Sequence, residues 1–492
     1  MARLRDLPVF PLTPEPVREG VGADAAPVQL LIEPTGPSGG PRIALVTLGC
    51  DKNTVDSERM MAALVGHGAQ VSSEVEGADV VIVNTCGFIQ AAKEQSIETI
   101  LEACQLKERG DLKAVVAVGC MVQRYGAELR QEIPEVDLFM GLTELQGLVP
   151  ELRKRGLLAD PSAAVPIMER PLRILSSETP HTSYLKISEG CDHTCSFCAI
   201  PLMRGLHRSQ PVAELVREAA GLGAAGVKEI NIVSQDTTWY GRDLRRRPDA
   251  AGAPGGRDAP LLPDLLRALL DGTDVPWYRL FYMYPSGITP AMVELMSREP
   301  RILPYLDVPI QHGSDRVLQL MRRPERRNTI LERVAWLRDA VPDITLRTTV
   351  IVGFPGETED DFREMLDLLE EVHFDRVGAF PYSVEEGTRA ADMEGHLDED
   401  VKQERLEELM ELQRGISFDS NLALVGRRAL ALVDRLVDDD PEYAAVARTT
   451  AQALDVDGVT HVRACAGLRP GDMVEVDIVD ALDYDLVAEV RR

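Results

Sequence analysis

Residues 188–201 read SEGCDHTCSFCAIP and place Cys191, Cys195 and Cys198 within eight positions. Three thiols this close on one short stretch fit a disulfide, a zinc site or an iron–sulfur cluster. The neighbouring sequence narrows the choice. The stretch follows the apolar run YLKIS, the first of six strand-like runs. The others are EINIVSQ, YRLFYMY, LDVPIQ, LRTTVIVGF and RVGAFPY, and each except the last leads into an amphipathic or Leu-rich helical pattern. Six such strands joined by helices predict an incomplete parallel barrel, in which ligands gather at the carboxyl ends of the strands. The triplet sits at the first of those ends. In a closed zinc site His193 would supply the fourth ligand, whereas three thiolates holding an iron–sulfur cluster leave one iron open to substrate or cofactor. In the cluster reading His193 is a solvated loop residue.

Working outward, the chain of 492 residues is too long for one core. Before the six-strand series, RIALVTL, DVVIVNT and KAVVAVG alternate with helical stretches and predict a parallel α/β domain. Cys50, Cys86 and Cys120 each lie just beyond one of these runs, so they should emerge on one edge of the sheet beside helix N-termini, where thiolate is favoured. Cys104, inside a helix, and Cys465, in the β-rich tail, read as structural. After the barrel series come short β-type runs separated by Asp, Gly and Pro, which predict a small antiparallel β-barrel. The expected layout is a flexible tail at 1–40, with seven Pro and five Gly, then an α/β domain at 41–160, a partial barrel at 175–412 and a β domain at 413–492. The Arg/Pro/Gly-rich residues 245–260 read as a surface insertion.

Composition excludes several classes. Hydrophobic residues make up 45% and charged residues 27%, a globular balance. No run approaches the ~20 apolar residues of a membrane span, and the N-terminus lacks the pattern of a secretory signal. A cytoplasmic protein without a membrane partner is expected, and in that compartment eight cysteines point to metal or catalysis rather than disulfides. The net charge of −27, from 53 basic and 80 acidic side chains, argues against diffuse binding to nucleic acid.

The C-x3-C-x2-C spacing, with Phe197 before the last Cys, resembles the radical S-adenosylmethionine superfamily. TLGCDKNTVDSE (47–58), VNTCGFI (83–89), VGC (118–120), GCDHTCSFCAIP (190–201) and GFPGETEDDF (353–362) together resemble the methylthiotransferases of that superfamily, over roughly residues 42–490. The resemblance implies two 4Fe-4S clusters, one on Cys191, Cys195 and Cys198 that generates a radical from S-adenosylmethionine, and one on Cys50, Cys86 and Cys120. It implies S-adenosylmethionine as both methyl donor and radical source, and a C-terminal TRAM domain. Phe197, Ser234, Asp236, Gly353 and Glu357 fall where the superfamily contacts the cofactor. Two substrate classes occur in the family: a tRNA adenosine, and the β-carbon of an aspartate in small-subunit ribosomal protein S12. QDTTWYG (235–241), VPIQHGSDRVLQLMRR (308–323) and ALDYDLVAEV (481–490) resemble the ribosomal-protein branch. Charge agrees, because residues 421–492 carry 8 basic and 14 acidic side chains, a poor surface for phosphates and a suitable one for a basic protein. The basic run RRPERR (322–327) reads as a solvated helix end. A reduced flavodoxin- or ferredoxin-type protein is the expected electron donor. The non-enzymatic alternative is an assembly factor whose metal only holds the fold.

Overall fold

The computed structural model describes residues 28–31, 35–158, 171–175, 179–246, 256, 258–438, 440–463 and 467–491. The first domain is a five-stranded parallel sheet in the spatial order Gln70–Ser72, Arg42–Thr47, Val80–Thr85, Ala114–Gly119, Leu138–Gly141. Val80–Thr85 and Ala114–Gly119 are buried throughout, as Val-rich central strands covered on both faces should be. Helices Asp51–Gly66 and Leu148–Lys154 pack on one face. Helices Gln90–Glu108 and Cys120–Glu132 pack on the other, where Cys104 is a buried core residue as expected. The strand order reverses between Arg42–Thr47 and Val80–Thr85, the kind of crevice in which open α/β sheets bind ligands.

The central domain is the expected incomplete barrel. Thr182–Lys186, Glu229–Val233, Trp277–Leu280, Ile302–Asp307, Thr345–Val352 and Arg376–Pro381 pair in chain order, all parallel, in an open sheet. Helices bury their apolar stripes against its outside. Leu262–Gly272, for example, turns Leu262, Leu265, Leu266 and Leu269 inward at helical spacing. The third unit is a closed five-stranded barrel of Arg428–Leu436, Tyr443–Thr449, Thr460–Arg463, Leu486–Val490 and Met473–Ala481. Its pairings are antiparallel except that of Thr460–Arg463 with Leu486–Val490.

Several expectations are corrected. Val28–Leu30, in the supposed tail, is a strand paired in parallel with Arg173–Leu175; its three-residue apolar pattern is too short to read beside the Pro-rich context. The boundary expected at 412/413 falls inside helix Glu399–Leu422, whose buried face continues through Ile416 and Asn421. Residues 1–27, most of the 245–260 insertion and Cys465 lie outside the described residues.

Balanced sets of buried charges join the units. Between the first domain and the barrel, Lys186 and Arg204 meet Asp56 and Glu189: Lys186 bonds Asp56 and lies 2.7 Å from Glu189, and Arg204 lies 2.7 Å from Glu189 and 3.3 Å from Asp56. A second set has Arg173 between Glu58 and Glu218 (3.0 Å), with Arg59 2.8 Å from Glu218. The C-terminal barrel docks through Arg448, which reaches Glu229 (2.5 Å) and Asp434 (2.8 Å), while Arg279 takes the other Glu229 oxygen at 2.7 Å. Each of these three sets pairs two cations with two carboxylates, and beside the last Arg347 stands between two further buried carboxylates, Asp307 at 2.8 Å and Asp457 of the C-terminal unit at 3.7 Å.

Candidate active site

Three of the six expected cysteines, Cys50, Cys86 and Cys120, lie at or just beyond carboxyl ends of parallel strands, and Cys191, Cys195 and Cys198 lie on the loop that follows barrel strand Thr182–Lys186. Cys50 caps helix Asp51–Gly66, Cys86 follows Thr85 directly, and Cys120 begins its helix immediately after Gly119. Close approach of these loops fixes their residues. A Cβ on Gly49, whose φ is +96°, would stand 2.8 Å from Cβ and 2.9 Å from Sγ of Cys86, so only glycine fits. Asn53 ties the three loops together. Its amide donates to the Leu48 carbonyl at 2.7 Å and the Thr85 carbonyl at 3.2 Å, and its Oδ1 lies 3.7 Å from the Cys120 thiol.

In the second set, the Cys191 amide donates to the Gly205 carbonyl at 3.0 Å, and Ser196 is held by Met321 (3.0 Å) and Leu320 (2.8 Å) carbonyls. His193 is not a solvated loop residue. It stacks on Tyr284 with ring centroids 4.0 Å apart, and its Nε2 hydrogen-bonds Asp236 at 2.7 Å. The RRPERR segment is also corrected: Arg323 is buried over the Tyr284 ring at 3.9 Å and donates to the Pro309 carbonyl at 2.7 Å.

The two sets are adjacent. Cys120 packs against Ala199, the residue after Cys198, and against Met203. Arg204, at the end of the short helix Ile200–Arg204, crosses the seam to donate to Asn53 at 2.6 Å. Tyr282, in the left-handed region at φ +56°, extends its hydroxyl to Asp51 at 3.2 Å, and Lys52 lies 3.1 Å above its ring.

Burial sets the thiol chemistry. It pushes Cys120 up to about 12, with Arg204 opposing and Cys50 and Cys86 adding to the rise. It likewise pushes Cys198 up to about 12, Cys195 adding to the rise, and raises Cys86 and Cys191. The expected helix-terminus preference for thiolate is therefore outweighed by desolvation at Cys86 and Cys120. Among the described residues no three Cys, His, Asp or Glu side chains already stand at the spacing of a closed metal site. The donor chemistry nevertheless fits iron–sulfur clusters: each set offers three soft sulfur donors, and each has a buried arginine, Arg204 or Arg323, to offset thiolate charge. His193 is committed to Asp236 and Tyr284, which counts against a zinc site completed by that residue.

The remaining expected residues divide. Ser234 hydrogen-bonds Ser188 at the base of the Cys191–Cys198 loop, and Asp236 holds His193. Phe197 packs beside Val317, Met321, Phe354 and Tyr382. Gly353 and Glu357 serve the fold: a Cβ on Gly353 would run into Lys402, and Glu357 accepts from Arg405 at 2.5 Å and meets His312 at 3.2 Å. The sequence reading missed Asn53, Lys52, Arg204, Tyr282 and Arg323.

This combination defines a radical S-adenosylmethionine type of enzyme with an added cysteine-bearing α/β domain. Residues 185–369 match the radical SAM superfamily, 425–490 match the TRAM domain, and 42–141 match the uncharacterized protein family UPF0004. Among solved structures, the cobalamin-dependent S-adenosylmethionine radical enzyme OxsB shares the fold at a TM-score of 0.50 and 15% identity, over 75% of this chain and 56% of that one. A ribosomal protein uS12 methylthiotransferase RimO from Symbiobacterium thermophilum is 44% identical over 92% of this chain and 91% of its own. One from Anaeromyxobacter sp. (strain Fw109-5) is 44% identical over 91% of this chain and 93% of its own. The chain belongs to the RimO family of radical S-adenosylmethionine methylthiotransferases. Membership of the superfamily carries with it a 4Fe-4S cluster and S-adenosylmethionine.

Proposed function

We propose that the protein methylthiolates the β-carbon of an aspartate in ribosomal protein uS12, replacing C–H by C–SCH3. The single observation that carries this reading is the seating of Cys120, from the first thiol set, against Ala199, the residue after Cys198 of the second. Two thiol sets brought to one seam suit a reaction in which sulfur handling and radical generation meet at one carbon. Cys191, Cys195 and Cys198 would hold one 4Fe-4S cluster and Cys50, Cys86 and Cys120 another. When bound, these clusters would supply the electron that cleaves S-adenosylmethionine and a site at which sulfur is methylated and transferred.

The chain's own residues do the positioning. Asp236 fixes His193 against Tyr284 beneath the second set. Asn53 and Arg204 hold the first set against the barrel. Arg204 and Arg323 place positive charge beside thiols that must lose their protons on binding metal. An unactivated methylene cannot be deprotonated by a side-chain base of ordinary pKa, so no general base is sought, and deuterium at the target carbon should appear in 5'-deoxyadenosine.

Substrate choice rests on the names of the relatives and on charge. In the C-terminal barrel, Arg448 is engaged in the docking seam, and Arg427, Arg428 and Arg463 pair with Asp343, Asp477 and Glu489. Arg435, Arg469 and Arg491 are exposed without an ion pair among the described residues, but with 8 basic against 14 acidic side chains over residues 421–492 the net charge disfavours phosphates and favours a basic protein over tRNA. No helix among the described residues is long and apolar enough to cross a membrane, in keeping with action on ribosomal protein in the cytoplasm, with a reduced flavodoxin- or ferredoxin-type donor. The test is gene deletion followed by intact-protein mass spectrometry of uS12. Loss of one carbon, one sulfur and two hydrogens, with the methylthioadenosine of tRNA retained, supports the proposal. Unchanged uS12 with loss of the tRNA modification moves the protein to the tRNA branch. Purified protein holding zinc and no iron would favour the assembly-factor reading.

A further inference from the structure

A cavity of about 760 Å3 lies between helices Gln90–Glu108 and Cys120–Glu132 of the first domain and the segment after the last barrel strand. Its apolar lining includes three exposed side chains: Ile97 at 36%, Leu101 at 43% and Val384 at 51% exposure. Large aliphatic groups left open along one groove mark an interaction surface rather than scattered surface residues. Its carboxylates are Glu128, Glu132, Glu386 and Asp392, and among the described residues no ion pair engages any of them. Of the cations nearby, Arg389 is exposed with no ion pair among the described residues, one positive charge against the four carboxylates. Lys93 and Arg124 both bind the buried Glu385, at 3.1 Å and 2.7 Å. The groove therefore has an apolar floor and a net negative rim.

Both walls are anchored on the cysteine loops. Met121, on the floor, follows Cys120, and helix Gln90–Glu108 starts four residues after Cys86. On the other wall, the amide of Ala390 donates to the carbonyl of Ser196, between Cys195 and Cys198, at 2.8 Å. A chain lying in the groove is thus held next to the seam where the two thiol sets meet. We infer that this groove docks a lysine- and arginine-rich segment of the substrate protein, with an apolar side chain against Ile97 and Leu101. The inference rests on the proposed reading and assigns the site that recognises the substrate away from its target residue. Negative charge on the rim selects against nucleic acid and for a basic polypeptide.

The test uses the full-length reconstituted enzyme with isolated uS12 protein. Glu128→Lys combined with Glu132→Lys reverses the rim at two positions, and Ile97→Ser combined with Leu101→Ser removes the apolar floor independently. Each pair should raise KM for uS12 about tenfold while leaving kcat within about twofold and substrate-free cleavage of S-adenosylmethionine unchanged. The wild-type KM should rise with ionic strength, and that rise should be smaller in the charge-reversed enzyme. Unchanged KM in both pairs, with wild-type methylthiolation intact, overturns the groove and spares the function. Concentration-dependent dimerisation of the wild type that both pairs abolish, with KM unchanged, overturns it in favour of a second copy as occupant. A wild-type enzyme that neither binds nor modifies uS12 overturns the function and this occupant together.

Discussion

Replacing Arg204 by Met tests whether the seam between the thiol sets is held by charge balance. Arg204 is 1% exposed and shares Asp56 and Glu189 with Lys186, two cations against two carboxylates. Burial opposes its charge, but Cys120, Glu189 and Asp56 hold its pKa well above the ordinary value. Methionine fills a similar length and removes one positive charge, so a buried net charge of minus one remains. Breaking a buried pair in this way costs about 3–5 kcal/mol, and the lower figure applies because Lys186 still serves both carboxylates. The apparent unfolding midpoint of the first domain and barrel should fall by roughly 6–10 °C. Arg204→Lys keeps the charge but loses the planar fork to Asn53 and Asp56, so its loss should be intermediate. The decisive measurement is a double-mutant cycle. Adding Asp56→Asn to Arg204→Met restores neutrality, so the pair should be less destabilised than the sum of the single changes by about 1–2 kcal/mol. Additive effects, or an Arg204→Met midpoint within about 1 °C of wild type, would refute the charge-balance argument.

Replacing Cys191, Cys195 and Cys198 together by Ala should halve the iron of anaerobically reconstituted protein and abolish cleavage of S-adenosylmethionine, whereas replacing Cys50, Cys86 and Cys120 should halve the iron and keep cleavage while stopping sulfur transfer; iron analysis and product chromatography check both. Gly353→Ala should cost about 1–3 kcal/mol in chemical denaturation, because Gly353 has φ +72° and its Cβ would meet Lys402, while the folded fraction should still bind S-adenosylmethionine in a titration. Docking of the C-terminal barrel should fail on acidification. Burial raises Glu229 and Asp434, but Arg279 and Arg448 outweigh it at Glu229, and His181 and Arg448 outweigh it at Asp434, leaving both carboxyls below their ordinary values. Groups with depressed folded pKa contribute stability above the unfolded pKa and lose it as pH falls through the folded value. Limited proteolysis should therefore find the barrel docked from neutral pH down to about 5 and released only below about 4.

The three inner strands of the first sheet and the six of the barrel are legible in the sequence because their apolar runs have no competing reading, whereas the short edge strands Gln70–Ser72 and Leu138–Gly141 of the first sheet are not. VVIVNT and AVVAVG cannot be half-exposed, and alternation with helices of ordinary length forces parallel pairing. Position then follows from topology, since a cysteine just after such a strand must sit at its carboxyl end. The Val28–Leu30 strand is not legible, because its partner lies some 145 residues onward and no local pattern announces it.

The polar part of the site is hidden for a related reason. Arg204 and Asn53 are 151 positions apart, and Arg448 and Glu229 are 219 apart, so neither pair leaves a spacing signal. A weaker signal is present in composition. Lys186 in YLKIS, Arg279 in YRLF and Glu229 before INIV each put a charge into a short strand that is otherwise apolar, and such a charge requires an internal partner. Taken as demands for a partner, these three residues mark the seams from the amino-acid order alone. Directional pairs also explain why the seams are ionic. A purely apolar contact would tolerate sliding, whereas four charges in fixed geometry admit one arrangement of the domains, and chemistry at two adjacent thiol sets needs that arrangement held. Arg204→Met should therefore lower the unfolding midpoints of the first domain and the barrel together, which distinguishes a seam residue from a residue of either core.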